Sequence, residues 1–250
     1  PHLGASTVEA QESVAIDVSM DVIKFATDGT VRNPVNMPSI SKRLLDKIEP
    51  FFVLTEKLGA FASHLVDGAY QEVNVTYAGE LAEVDVRPLT RNLMKGLLTL
   101  NLGNHVNDVN SRYLSNRIGI KIDELKTTAT KGFTNLITVE VVTEKGSVKV
   151  AGTLLNGLGP RIVKVDDYPV DVVPEGHLLL INHKDQPGAI GRVGMHLAAE
   201  NVNIATMQVG RSEQGGKAIM ILTVDYEVKP EEVEGLEQLD NVFEVKAINF

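Results

Sequence analysis

The sequence predicts an α+β protein, and three observations carry that prediction. Apolar residues recur at helical spacing along Val8–Phe25 and again along Ile40–Val66. Polar and apolar residues alternate through Gln71–Tyr77, the pattern of a strand with one buried face. From Gly176 onward, short apolar runs and turn residues spell strand, helix, strand, strand, helix, strand. At 250 residues the chain has room for two domains.

Residues 1–31 supply one helix. Ser6-Thr7-Val8-Glu9 has the form of a capping box, and Asp28-Gly29 supplies the stop. Val8, Val14, Val18, Val22 and Phe25 make a stripe that one helix cannot bury by itself, so the segment reads as the tail of a further domain.

Residues 32–173 open on a Pro-punctuated linker, Asn33–Ser39, and the helical stripe after it breaks at Pro50. Helices are expected near Leu89–Leu100 and Val106–Asn116. A hairpin follows, Leu136–Val142 with Ser147–Leu155 turning at Glu144-Lys145-Gly146, then short strands at Arg161–Val165 and Val170–Val173.

Residues 174–250 place strands at His177–Asn182, Asn203–Gly210, Lys217–Tyr226 and Val242–Ile248. Helices run through Ile190–Ala198 and from Pro230, which suits a first turn. This βαββαβ order is ferredoxin-like.

Composition narrows the function. A formal charge of -9 without basic blocks argues against a nucleic-acid partner. No apolar run approaches a membrane-spanning length and no leader pattern opens the chain, so a cytoplasmic protein with no membrane partner is expected. With no cysteine, disulfides, thiolate zinc sites and cysteine-ligated iron–sulfur clusters on this chain are excluded.

Candidate chemistry is sparse. Gly157-Leu158-Gly159 follows a strand, but Pro160 and another strand come next, so it reads as a hairpin turn rather than a dinucleotide loop. Gly188, Gly191 and Gly194 open a helix at a spacing unsuited to a nucleotide, and close helix–sheet packing is the expected reason for them. His177 and His183 are read as diverging, and His64, His105 and His196 as single hydrogen-bonded boundary residues, so no metal site is expected.

The informative stretch is His183–Gly188. It sets Asp185 beside the N-terminus of the next helix, whose amides and dipole favour anions. Asn203, opening the following strand, is expected to approach that turn. Together they would cradle a zwitterion. On the residues alone, the plainer account is that Asp185 caps a helix and Asn203 ends a loop.

The same residues carry a resemblance. His183-Lys184-Asp185-Gln186-Pro187-Gly188, Ala189-Ile190-Gly191 and Val202-Asn203-Ile204-Ala205 resemble an ACT domain of the amino-acid-binding type. His2-Leu3-Gly4-Ala5-Ser6-Thr7-Val8-Glu9-Ala10-Gln11 resembles the catalytic-histidine segment of D-2-hydroxyacid dehydrogenases. The whole chain resembles the C-terminal portion of long-form D-3-phosphoglycerate dehydrogenases. On that resemblance residues 1–31 are a helix left from the catalytic region, 32–173 an allosteric-substrate-binding (ASB) domain and 174–250 an ACT domain.

The resemblance implies that Pro1 marks a cut in a longer protein. His2 would be the general acid/base in oxidation of 3-phosphoglycerate to 3-phosphohydroxypyruvate, with NAD bound upstream and none on these residues. His183, Asp185 and Asn203 would contact L-serine, the feedback effector, between paired ACT domains of a homo-oligomer. Arg161 falls where some members hold an anion, while Val173 stands where a second basic residue is found. The other reading is a non-enzymatic amino-acid sensor or the small subunit of an iron–sulfur L-serine dehydratase.

Overall fold

The computed structural model describes residues 4–28, 35 and 40–250. His2 and most of the Asn33–Ser39 linker lie outside the described residues. The chain divides between Leu45 and Asp46 into two units. Among the described residues no helix is long and apolar enough to cross a membrane.

Helix α1 (Val8–Asp28) starts one residue later than its capping box requires. Thr7 is therefore the cap: Ala10 N donates to Thr7 Oγ1 at 3.2 Å. Glu9 is thereby moved off the third helical position that the Ser6 box needs. Val14, Ile16, Val18, Val22, Ile23 and Phe25 are all exposed.

Helix α2 (Lys42–Ile48) contains the division between the units and passes through a tight turn containing Pro50 into α3 (Phe52–Leu65) of the second unit. Helix α4 (Arg87–Leu102) packs along α3 at very close range. A Cβ on Gly59 would stand 2.1 Å from Leu93 O, and one on Gly96 would stand 2.0 Å from Glu56 O. These are the glycines that close packing requires. Gly191 and Gly194 have open space where a Cβ would go, which overturns the packing reason expected for them.

Both helices cover one face of a six-stranded sheet. Its strands are β1 (Tyr70–Gly79), β2 (Lys121–Thr127), β3 (Asn135–Thr143), β4 (Gly146–Leu155), β5 (Gly159–Val165) and β6 (Tyr168–Val172). They lie in the order β2-β1-β3-β4-β5-β6. Leu54, Leu58, Phe61, Val75, Tyr77, Leu93, Val139 and Ile162 fill the core. Tyr77 keeps its hydroxyl satisfied at 2.9 Å from Thr90 Oγ1, and burial pushes its pKa up. The expected hairpin forms β3–β4, and Gly157-Leu158-Gly159 does turn β4 into β5.

Two expectations shift. The helix α5 begins at Ser111, not Val106, and runs to Arg117. Asn107 Oδ1 accepts from the amides of Val109 and Asn110, both at 2.9 Å, so a side-chain-closed turn precedes the helix. Strand β2 was not expected at all. It is an edge strand, Lys-Ile-Asp-Glu-Leu-Lys-Thr, pairing parallel to β1. Charged side chains suit an exposed edge but hide the alternation that marks a strand.

The remaining residues form β7 (His177–Lys184), α6 (Ala189–Ala199), β8 (Ile204–Arg211), β9 (Lys217–Val224), α7 (Pro230–Glu237) and β10 (Val242–Asn249). Strand order is β10-β7-β9-β8, the ferredoxin-like arrangement expected. Leu179, Ile181, Met220, Leu222 and Val245 pack under α6 and α7 through Val193, Leu197 and Leu236. Leu178, Leu180, Ile219 and Ile221, on the opposite face, are buried as well. At the end of β10, Phe250 stacks on Phe61 of α3, with ring centroids 6.4 Å apart, under the Lys57 ammonium.

Candidate effector site

The end of β7, the loop into α6 and the β8–β9 hairpin meet around a cavity of about 450 Å³. Topology makes this meeting unavoidable. Strand β9 pairs antiparallel with both β7 and β8, and Lys184 lies opposite Lys217, so the hairpin must abut the end of β7.

Asp185 stands at the centre of the junction. Its Oδ2 accepts from Gly215 N at 3.0 Å and from Arg211 Nη1 at 3.1 Å. Its own amide donates to Gly216 O at 2.8 Å. The Gly215 amide first, then the Arg211 guanidinium, hold its carboxyl below the usual carboxylate range. Asp185 therefore reaches toward the hairpin and does not cap α6. The α6 start, at Gly188 with φ 87, has no side-chain cap at all.

The cavity thus brings together an anion, a cation and an uncapped helix N-terminus. Asp185 and Arg211 form an exposed pair, with the Arg211 side chain 58% accessible, so a competing ligand displaces it at small cost. The arrangement offers a carboxylate to an ammonium group, and a guanidinium and free helix-end amides to a carboxylate.

His183 lies just below, 2% exposed. Its Nδ1 donates to Lys184 O at 2.9 Å, which leaves Nε2 as the acceptor in the neutral ring. That Nε2 is buried without a partner, as is Nε of Arg192, which folds back toward Gly188. An unpaired buried acceptor is costly unless something fills it.

Asn203 is elsewhere. Ile204 aligns with Val224, and Val224 aligns with His177, so Asn203 stands at the far end of the sheet. Seven strand residues, at about 3.3 Å each, separate the two ends, about 23 Å in all. Asn203 donates instead to Asp225 Oδ2 at 2.8 Å. The expectation that it approaches the turn within one domain is overturned. Helix α6 carries the chain back across the sheet, so β8 starts beside the start of β7, not its end.

Arg161 is held locally. Nη1 donates to Leu158 O and Pro160 O at 2.9 and 3.0 Å, and Nε lies 3.3 Å from Asp171 Oδ1. His177 and His183 do not diverge, since an even separation on one strand puts both on the same face. They are nevertheless about 20 Å apart. His64 Nδ1 donates to Ala60 O at 2.8 Å as expected of a hydrogen-bonded boundary residue, whereas His196 Nε2 is buried with no hydrogen-bond partner, pressed against Gly235. Among the described residues no group of three potential metal ligands occurs.

Arg211 and Gly215 were missed from the sequence. The antiparallel β7–β9 pairing was a usable signal, because it forces the β8–β9 turn against the end of β7.

Comparison with known proteins adds two family matches. The D-3-phosphoglycerate dehydrogenase intervening domain matches residues 47–166, and the ACT domain matches residues 177–241. D-3-phosphoglycerate dehydrogenase of Bacillus subtilis is 36% identical over 249 residues, covering 100% of this chain and 47% of the relative. The protein of the same name from Archaeoglobus fulgidus is 39% identical over 246 residues, covering 98% of this chain and 46% of its own. That from Methanocaldococcus jannaschii is 36% identical, again over 47% of its length. The chain spans about half the length of the curated relatives it matches.

Proposed function

Because the chain belongs to the D-3-phosphoglycerate dehydrogenase family, whose intervening and ACT domains it carries, we propose that it is the regulatory portion of such an enzyme. The parent oxidises 3-phosphoglycerate to 3-phosphohydroxypyruvate with NAD, and His2 acts there as general acid/base. L-Serine is the effector, read by the ACT domain. Arg161 is the candidate for an anion contact in the intervening domain, once freed from Asp171.

The observation that carries this reading is the Asp185–Arg211 pair beside an uncapped α6 N-terminus, in a cavity of about 450 Å³. That geometry fits an amino acid. The buried His183 Nε2 supports serine in particular, as an acceptor in want of a hydroxyl donor. Asn203 joins the site only from a second chain, because its own lies about 23 Å away. A homodimer with paired ACT domains therefore uses Asp185 of one subunit and Asn203 of the other. Coupling of this kind is worth about 1–3 kcal/mol between sites.

Calorimetry with L-serine tests the arrangement. Asp185→Ala and Asn203→Ala each abolish the heat. Co-refolding the two variants restores it, since each mixed dimer holds one intact site. Failure of the mixture to bind, with wild type binding, removes the two-chain site. No heat from wild type removes the effector itself. The chain by itself binds no NAD and forms no NADH from 3-phosphoglycerate; activity in that assay overturns the assignment to a regulatory portion.

A further inference from the structure

Arg211 ends β8, and the strand fixes which way it points. Gly210 before it faces β6, where a Cβ would stand 2.9 Å from Pro169 O. Successive side chains on a strand alternate, so Arg211 projects from the other face, the one that α6 covers. Its partner in register is Ala218, on the same face as Met220 of the core beneath α6.

On that face it meets Asp185. Arg211 Nη1 and Gly215 N, at 3.1 and 3.0 Å, donate to the same oxygen, Oδ2. Asp185 Oδ1 and the Nε and Nη2 groups of Arg211 have no hydrogen-bond partner among the described residues. The pair is thus joined at one point and leaves the rest of both groups open. Among the described residues that line the cavity, Asp185 is the one acid and Arg211 the one base.

The α6 amides are the competing holders of a carboxylate, and few of them are free. Ala189 N already donates to Gln186 O at 3.2 Å, and Arg192 N to Gly188 O at 2.9 Å. Of the two amides between them, Ile190 and Gly191, only the first belongs to a residue that lines the cavity. A guanidinium with open N–H groups binds a carboxylate more strongly than one neutral amide does.

We infer that Arg211 determines which ligands the effector cavity takes, by binding the carboxylate of an α-amino acid whose ammonium sits on Asp185. The inference rests on the amino-acid reading of this cavity and deepens it. In an α-amino acid both charged groups hang from one carbon, so they reach a carboxylate and a guanidinium that already touch. The ammonium takes Oδ1, Arg211 keeps Oδ2 with one N–H, and its open N–H groups turn to the ligand's carboxylate. Four charges then alternate in sign, and none is left unpaired. An amine without a carboxylate completes only half of this arrangement and meets the guanidinium as a like charge.

The test compares L-serine with ethanolamine, which keeps the ammonium and the hydroxyl but has no carboxylate. Each is titrated into the whole chain and read by calorimetry and by the Gly215 amide in NMR. Wild type prefers L-serine by about tenfold or more. Arg211→Met weakens L-serine by about that factor and leaves ethanolamine as tight or tighter, which erases the preference. Arg211→Lys keeps the charge without the fork and binds L-serine with an affinity between the two. The side chain is 58% accessible, so the melting temperature stays unchanged in both variants. L-Serine binding equally well to Arg211→Met overturns the inference and gives the carboxylate to the α6 amides. Loss of both ligands together overturns it too, since Arg211 then serves only to hold Asp185. So does Arg211→Lys binding L-serine no tighter than Arg211→Met. No binding of L-serine by wild type is a separate failure, which removes the amino-acid reading and this inference with it.

Discussion

Asp185 fastens the end of β7 to the β8–β9 turn, and its titration reports that fastening. Its folded pKa lies below the unfolded value, through the Gly215 amide and then Arg211. The interaction is therefore fully present above the unfolded value of about 3.9 and is lost as pH falls through the lower, folded one. In an NMR titration the Gly215 amide should move with a midpoint below about 3.9; a midpoint at or above it contradicts the hydrogen bond. Glycines separate equally well at this scale. Gly96→Ala drives a methyl into Glu56 O and should cost about 3 kcal/mol in denaturant unfolding. Gly194→Ala meets nothing within a helix interior and should be neutral or stabilise by up to about 1 kcal/mol. Equal losses at the two positions would refute the contrast in packing.

Among elements, β10 lies against α3, and Phe250, just past the strand, adds an aromatic contact. Phe250 stacks on fully buried Phe61 with an interplanar angle of 13°, and Lys57 Nζ lies 4.5 Å from its ring centroid. Lys246 of β10 adds a 2.9 Å pair to Asp67, beyond the end of α3. Stacking and the cation–π contact are both short-range, so they act only while the two elements keep register. Phe250→Ala should cost about 2 kcal/mol and speed hydrogen exchange along β10. Unchanged exchange would mean that the strand is held by its pairing with β7 alone. Elements also show where sequence patterns failed. The Gln71–Tyr77 alternation predicts β1 because one face of that strand meets the core. Lys121–Thr127 gives no such signal because an edge strand owes its place to β1, not to its own pattern.

For the whole molecule, the proposed two-chain effector site makes a prediction about mass. The chain should be at least a dimer at micromolar concentration in light scattering, and L-serine should strengthen the association by linkage. A serine-independent monomer would contradict it. The intervening-domain sheet and the ACT-domain sheet also lie within one unit, Asp46–Phe250, with β6 against β8. Gly210 permits that approach, as a Cβ there would stand 2.9 Å from Pro169 O. The Asp185–Arg211 cavity, at the end of β8, thereby lies next to the strand that closes the six-stranded sheet.

Sequence alone determined the order of elements over most of the chain, because burial periodicity and turn residues are local properties. It also marked His183, Asp185 and Asn203 as the residues worth watching. Tertiary structure decided what those residues can touch. Strand register put Asn203 at the far end of the sheet, and hairpin placement gave Asp185 the partners Arg211 and Gly215, far from it in sequence. The glycines divide the same way. A sequence shows where a Cβ is missing, but only the approach of another backbone, at Gly59 and Gly96 and not at Gly191 and Gly194, makes its absence necessary.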